Sequence, residues 1–309
     1  MIRVLVTGAS GMVGRNLLAH PGIASFQVLA PGREDLQLGD GDAVRSFMAE
    51  NRPDVVVHLA GRVGGIQANS QDLFGFLHEN LTIGTNVVLA AREARVSCLI
   101  NVASSCMYPK DVSGQLTEDA ILSGPLEPTN EGYALAKIVV MRLCQYVSEQ
   151  SGGSLAYKTL IPCNLFGPWD TFSPDRSHLV PAAIRKIHDA LVAGSSEVEI
   201  WGDGEARREF LFAPDFADCL VRAIERFGTL PTVANVGLGF DFTVNEYYQA
   251  IARVVGYSGA FRHDLTRLVG MRRKVLDPSR IHTWGWQATT TLEDGIRKTY
   301  QHYLSTASV

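Results

Sequence analysis

Thr7-Gly8-Ala9-Ser10-Gly11-Met12-Val13-Gly14 stands directly behind an apolar run at residues 2–7 and opens into a helix-like run at 12–20. Three glycines spaced GxxGxxG between a first strand and a first helix leave few folds open. They suit a tight turn whose backbone closes on a pyrophosphate, which then rests on the helix amino terminus. A ligand-free glycine turn is the plainer reading, and the strand–turn–helix context favours the dinucleotide.

The rest of the chain continues that pattern. Residues 27–30, 55–60, 98–102 and 156–161 read as strands, and 42–51, 73–95 and 130–150 as helices. Regular alternation of this kind implies a parallel sheet with right-handed crossovers. Beyond Pro168 a polar loop (169–177) leads to a helix at 178–193 with Ser177 as its expected cap. Short strands (198–201, 209–212, 233–236) then alternate with helices (214–226, 244–255, 292–304). The expected fold is α/β, a doubly wound parallel sheet of Rossmann type with a smaller carboxyl-terminal α/β substrate-binding lobe. Residues 1–168 are expected to bind dinucleotide and 169–309 mainly substrate, with the strand near 232–236 rejoining the first unit.

Composition narrows the partners. Hydrophobic residues make up 46%, charged residues 19%, and the net charge is −4. That balance gives no electrostatic reason to expect nucleic acid or an anionic membrane, and no apolar run is long enough to span a bilayer. Cys98, Cys106, Cys144, Cys163 and Cys219 form neither a CxxC pair nor a metal spacing. Five thiols and a strand-like amino terminus predict reduced cysteines in a cytoplasm, and no metal.

The cofactor is read from the second strand's end. An NAD site usually places Asp or Glu there for the ribose 2′-hydroxyl. Here the end is apolar and Arg33 follows, which suits a 2′-phosphate and favours NADP (NADPH) over NAD. Glu34 and Asp35 beside it keep NAD as the alternative.

Tyr133 and Lys137 lie four apart in the helix-like run at 130–150, so they share a face. A cation beside a phenol favours the phenolate and makes an adjustable proton donor. Ser104, Ser105 and Cys106 lie at the carboxyl end of the fourth strand, and the loop Gly61-Arg62-Val63-Gly64-Gly65-Ile66 at that of the third, where open α/β sheets bind ligands. His58 reads as a packed strand-end histidine.

Gly8-Gly11-Gly14, Ser104 and Tyr133-x-x-x-Lys137 together resemble the extended short-chain dehydrogenase/reductases. Ala103-Ser104-Ser105-Cys106-Met107-Tyr108-Pro109-Lys110, the 61–66 loop, Asn164-Leu165-Phe166-Gly167-Pro168, Ser177-His178-Leu179-Val180-Pro181 and Arg208-Glu209-Phe210 resemble the GDP-L-fucose synthases within them. The resemblance implies an NADPH-dependent 3,5-epimerase/4-reductase of a nucleotide-linked 4-keto-6-deoxyhexose, acting as a homodimer through the helices at 73–95 and 130–150. The alternative is a 4-ketoreductase of a related GDP- or dTDP-linked sugar without full epimerisation.

By that resemblance Tyr133 donates the proton, Lys137 binds the nicotinamide ribose, Ser104 holds the carbonyl oxygen, and Cys106 and His178 exchange protons at C3 and C5. The implied cofactor residues are Gly8, Ser10, Gly11, Met12, Val13, Arg33, Leu59, Ala60, Lys137, Pro162, Asn164, Leu165 and His178. Those implied for substrate are Val63, Asn164, Lys186, Trp201, Arg208 and Lys274. Two segments depart from the synthases: the glycine loop lacks a basic residue, and Leu265-Thr266-Arg267-Leu268-Val269-Gly270 replaces a Lys-Pro-Asp-Gly loop.

Overall fold

The computed structural model describes residues 1–173, 177–267 and 271–307. In its first half, β1 (Arg3–Thr7), α1 (Met12–Ala19), β2 (Gln27–Leu29), α2 (Gly41–Asn51), β3 (Val55–His58), α3 (Ile66–Gln71), α4 (Leu73–Glu93), β4 (Cys98–Val102), α5 (Glu131–Gln150) and β5 (Ala156–Pro162) alternate as expected, except that the short α3 was not expected before α4. Further along come β6 (Asn164–Phe166), α6 (Leu179–Val192), β7 (Glu197–Trp201), β8 (Arg207–Arg208), β9 (Phe210–Phe212), α7 (Ala213–Glu225), β10 (Val233–Val236), β11 (Phe242–Thr243), α8 (Val244–Val255), β12 (Ala260–Asp264), β13 (Arg273–Lys274), α9 (Ser279–Trp284) and α10 (Leu292–Ala307).

A six-stranded sheet carries the order β10-β5-β4-β3-β1-β2, every neighbouring pair parallel. Its inner strands are buried on both sides, so successive residues enter different cores. Val4 and Val6 of β1 pack with Leu17 of α1 and Phe216 and Leu220 of α7, whereas Leu5 packs with Val44, Met48, Val88 and Val140 from α2, α4 and α5. Each such side chain contributes about 1.5–3 kcal/mol by leaving water. A third core, with Ile184, Ile187, Phe210, Phe212, Tyr247, Ile251 and Ile296, holds α6, α8 and α10 against β7 and β9.

Glycines set the approach of α5 to α4. A Cβ on Gly132 would lie 2.3 Å from the Leu73 carbonyl oxygen, which is backbone and cannot swing away. Gly132→Ala is therefore expected to destabilise the protein by about 1–3 kcal/mol, as overpacking does. A thermal melt checks it, and an unchanged midpoint would remove the close-approach explanation.

Three expectations differ in detail. Ser177 does not cap the helix: α6 starts one residue later, His178 takes the cap position without a side-chain bond, and the Ser177 hydroxyl donates to the Thr171 and Ser173 carbonyls. Part of the loop at 169–177 and of the segment at 265–270 lies outside the described residues. The expected strand at 209–212 begins one residue later, as β9, with Glu209 standing between it and β8, which belongs to a different small sheet. The strand β12, paired parallel with β7, carries largely exposed residues and no alternating apolar signal.

Candidate active site

The glycine turn is built for close approach. Gly8 holds φ +73°, a left-handed conformation that favours glycine, and a Cβ there would meet the Ala60 backbone nitrogen at 2.7 Å. Gly14 is pressed as closely, with a Cβ 2.4 Å from the Gly8 oxygen. Helix α1 begins at Met12 behind Gly11, with no side chain capping its amino end and no acid in its first turn. Those uncapped N–H groups and the dipole behind them fit a pyrophosphate. Ser10, Met12 and Val13 line this turn, and Leu59 and Ala60 follow β3 beside it.

The sheet order then measures the site. From β2 through β1 and β3 to β4 is three strand spacings, or about 14 Å, so Arg33 and Ser104 stand at opposite ends of one crevice. Arg33 is exposed just after β2. Asp35, one of the two acids that could serve a 2′-hydroxyl, accepts the Gly32 N–H at 3.0 Å.

At the β4 end the reactive groups converge. Ser104 starts the turn Ser105–Met107, its Oγ accepting the Cys106 N–H at 3.4 Å. Lys137 extends from α5 toward β4, its Nζ donating to the Val102 carbonyl at 3.1 Å and standing 5.6 Å from the Tyr133 ring centre. The Tyr133 ring meets Phe76 of α4 edge-on at 6.4 Å.

The electrostatics reverse one expectation. Burial pushes the Tyr133 phenol well above its ordinary range, the nearby Cys106 adds to this, and a hydrogen bond from Ser104 only partly offsets it. Desolvation sets the direction of the tyrosine's shift. Burial instead lowers Lys137 to about 8, partly countered by Cys106. A neutral phenol is a proton donor, the state a reduction requires.

Burial likewise raises the Cys106 thiol, opposed first by Lys274, then by a Ser104 hydrogen bond and by Lys137. His178 is lowered by burial and by Lys274. Lys274, assigned from the sequence to the substrate, is thus the cation common to both expected proton-exchange residues. It also acts on Arg208 and Cys163.

The remaining residues fall into separate places. Asn164 donates from Nδ2 to the Glu209 carbonyl at 3.1 Å, with Leu165 next to it on β6 and Pro162 closing β5. Trp201 is 41% exposed at the end of β7, with the Lys186 ammonium 4.9 Å and the Arg267 guanidinium 5.1 Å from its ring centre. Val63 is exposed on its loop. His58 is buried, paired with Thr7 Oγ1 at 2.8 Å, and held neutral by burial and Lys137, its pKa lowered to about 3.

Several buried polar groups escaped the sequence reading. Asn80 on α4 accepts the Arg62 N–H at 3.0 Å and donates back to the Arg62 and Phe76 carbonyls, fixing the 61–66 loop. Glu209 accepts backbone N–H bonds from Leu238, Gly239 and Leu276, while burial raises its carboxyl to about 7. Asp170 is raised by burial to about 7, its Oδ2 buried and without a hydrogen-bond partner. A polar residue on an otherwise apolar helix face could have flagged Asn80; no local pattern marks the two acids. No helix is long and apolar enough to cross a membrane, and no group of metal-binding side chains occurs, among the described residues.

Comparison with known proteins places this arrangement. A GDP-L-fucose synthase of Azorhizobium caulinodans is 49% identical over 98% of this chain and 96% of its own length. A GDP-L-colitose synthase of Yersinia pseudotuberculosis is 46% identical over 98% of both chains. Among solved structures, a GDP-mannoheptose C4 reductase from Campylobacter jejuni with NADP bound matches with a TM-score of 0.88 at 29% identity, covering 98% of each chain. The model of NAD dependent epimerases and dehydratases matches residues 4–237, from the first strand to just past β10. Since that match takes in the glycine turn, the Tyr133–Lys137 helix and the whole six-stranded sheet, this chain belongs to the NAD dependent epimerase/dehydratase family.

Proposed function

We propose that the protein is an NADPH-dependent 3,5-epimerase/4-reductase that converts GDP-4-keto-6-deoxy-D-mannose to GDP-L-fucose. The observation that carries this reading is the meeting of Ser104, Cys106, Tyr133 and Lys137 at the β4 end of the crevice, with Lys274 acting on Cys106 and His178 together. Relatives named for GDP-linked sugars support the nucleotide.

The bound dinucleotide supplies the hydride for C4. Tyr133, kept protonated by burial, delivers a proton to the C4 oxygen, and Ser104 holds that oxygen by a hydrogen bond. The same two groups stabilise negative charge on the oxygen when a proton leaves C3 or C5. Cys106 and His178 serve those carbons, one accepting a proton and the other returning one, which inverts the centre if they stand on opposite faces. Lys274 opposes the burial of the thiol and raises its thiolate fraction. Gly8, Gly11 and the amino end of α1 cradle the pyrophosphate. Arg33 pairs with a 2′-phosphate, a choice supported by the occupied Asp35 and by NADP in the Campylobacter jejuni reductase.

In this reading residues 1–168 bind the dinucleotide and 169–309 mainly the sugar, where Arg208 and the Trp201–Lys186 pair meet the nucleotide. The exposed apolar residues Phe74, Leu135, Val139 and Tyr146 on α4 and α5 support a homodimer through these helices.

A screen of NADPH oxidation against GDP-, dTDP- and UDP-linked 4-keto-6-deoxy sugars in heavy water tests the whole reading. Turnover with the GDP sugar, with solvent deuterium at C3 and C5, is the expected result. Turnover without deuterium at carbon leaves the second reading, a plain 4-ketoreductase, which the solved GDP-sugar C4 reductase favours. No oxidation with any of the three sinks both.

A further inference from the structure

Asn235 lies on β10, is 0% exposed, and touches no part of the crevice directly. Its side chain nevertheless joins two segments that bear on Cys106. Oδ1 accepts the Tyr108 hydroxyl at 2.6 Å, two residues beyond the thiol. Nδ2 donates to the Asp277 carbonyl at 3.1 Å, three residues beyond Lys274, and to the Leu116 carbonyl at 2.8 Å. Its backbone N–H goes to Glu118 Oε1 at 2.8 Å, and Arg280 pairs with that carboxylate at 3.2 Å.

Only an amide offers one acceptor and two donors in this arrangement. Aspartate would bring no donors, and an apolar residue would leave three polar groups unpaired in the interior. Leu116 is bound on both sides of the same strand end, its N–H to the Val275 carbonyl at 2.9 Å and its carbonyl to the Asp277 N–H at 3.0 Å. Glu209 Oε2 takes the Leu276 N–H at 2.8 Å. The strand carrying Lys274 is therefore fixed at its carboxyl end by Asn235, Leu116 and Glu209. The turn carrying Cys106 is fixed by Tyr108, itself 1% exposed.

We propose that Asn235 is a positioning residue for the thiol of Cys106: through Tyr108 and Asp277 it holds the Cys106 turn and the Lys274 strand in one fixed relation, and with it the distance from the ammonium to the sulfur. The consequence rests on the proposed proton-exchange role of Cys106. The groups facing that thiol are the Lys274 ammonium from β13, the Lys137 ammonium and Tyr133 phenol from α5, and the Ser104 hydroxyl. Of these, only Lys274 reaches the site from a strand that Asn235 binds. Loosening Asn235 frees the Lys274 strand and the Cys106 turn from one another, while Lys137 and Tyr133 stay on α5.

The test is a titration of the thiolate by its ultraviolet absorbance in the free protein, each curve taken as the difference from the same protein carrying Cys106→Ser. Tyr108→Phe removes one hydroxyl and keeps the ring in the core; Asn235→Ser cuts both ties; Lys274→Gln sets the shift for complete loss of the cation. Tyr108→Phe and Asn235→Ser are expected to raise the midpoint toward the Lys274→Gln value, by about one pH unit, or tenfold less thiolate at a given pH. A purely structural role would lower the melting temperature and leave the midpoint where it was, and that result overturns the proposal. Should Asn235→Ser not fold, Tyr108→Phe decides alone. The reading of Cys106 as an epimerase residue fails by a different measurement, normal deuterium incorporation in Cys106→Ser, so the two failures are distinguishable.

Discussion

Replacing Tyr133 by phenylalanine is expected to lower kcat for NADPH oxidation by roughly 10²–10⁴, the usual worth of a positioned proton donor. The substitution removes one oxygen and keeps the ring that packs edge-on against Phe76. Binding of NADPH, measured by quenching of its fluorescence, should change little, because the phenol is not part of the glycine turn. A variant with near-normal kcat would remove Tyr133 from the chemistry. The pH dependence adds a second check. Burial keeps the phenol protonated beyond neutral pH, so it does not set the upper limit of activity. Lys137, lowered to about 8, is expected to set it. As pH rises through about 8 the ammonium becomes neutral, and a cation proposed to hold the ribose is lost. Activity of the free enzyme, read as kcat/KM, should fall on the alkaline side of that point, and Lys137→Met should abolish the limb together with most of the rate.

Cys106→Ser and His178→Asn should each reduce solvent deuterium at C3 and C5 by about 10²–10⁴, again the range for a general acid or base. Reduction should survive in part, since Tyr133, Ser104 and Lys137 are untouched, and any sugar reduced should keep the substrate's configuration at the two carbons. Mass spectrometry and proton NMR of the product read both effects. Equal loss of deuterium incorporation and of reduction would mean that the thiol and imidazole act on the C4 step instead. The serine replaces a thiol that Lys274 can ionise with a hydroxyl that it cannot.

How far the site was readable depended on the range of each interaction. The glycine turn, the position of Ser104 at a strand end and the shared face of Tyr133 and Lys137 all rest on spacing along the chain, and the structure forms each element where the spacing placed it. The state of Tyr133 departs from the expectation for a physical reason: spacing reveals a cation four residues away, whereas the fold buries both groups and desolvation dominates. Lys274 is far from Cys106 in sequence, and its strand is held by bonds that Leu116, Glu209 and Asn235 make to residues 275–277. The strand β12 was missed because its residues face outward and have no core to pattern them. Asp241 illustrates the same limit: it joins Arg207 and Arg273, across β8 and β13, through contacts that no local motif announces.

The sheet order also bears on how the chain is made. Among the described residues β10 alone borders β5 on its outer side, and α7 supplies Phe216 and Leu220 to cover α1. Both arrive well after β5 has been synthesised, a delay of several seconds at about 5–20 residues per second. Through that interval a nascent chain carries an unpaired strand edge and an uncovered helix face, the features that invite association with other chains. Ribosome-bound intermediates ending near Pro168 should therefore need chaperone cover. A fragment cut at that residue should aggregate rather than bind dinucleotide, even though it contains the entire glycine turn.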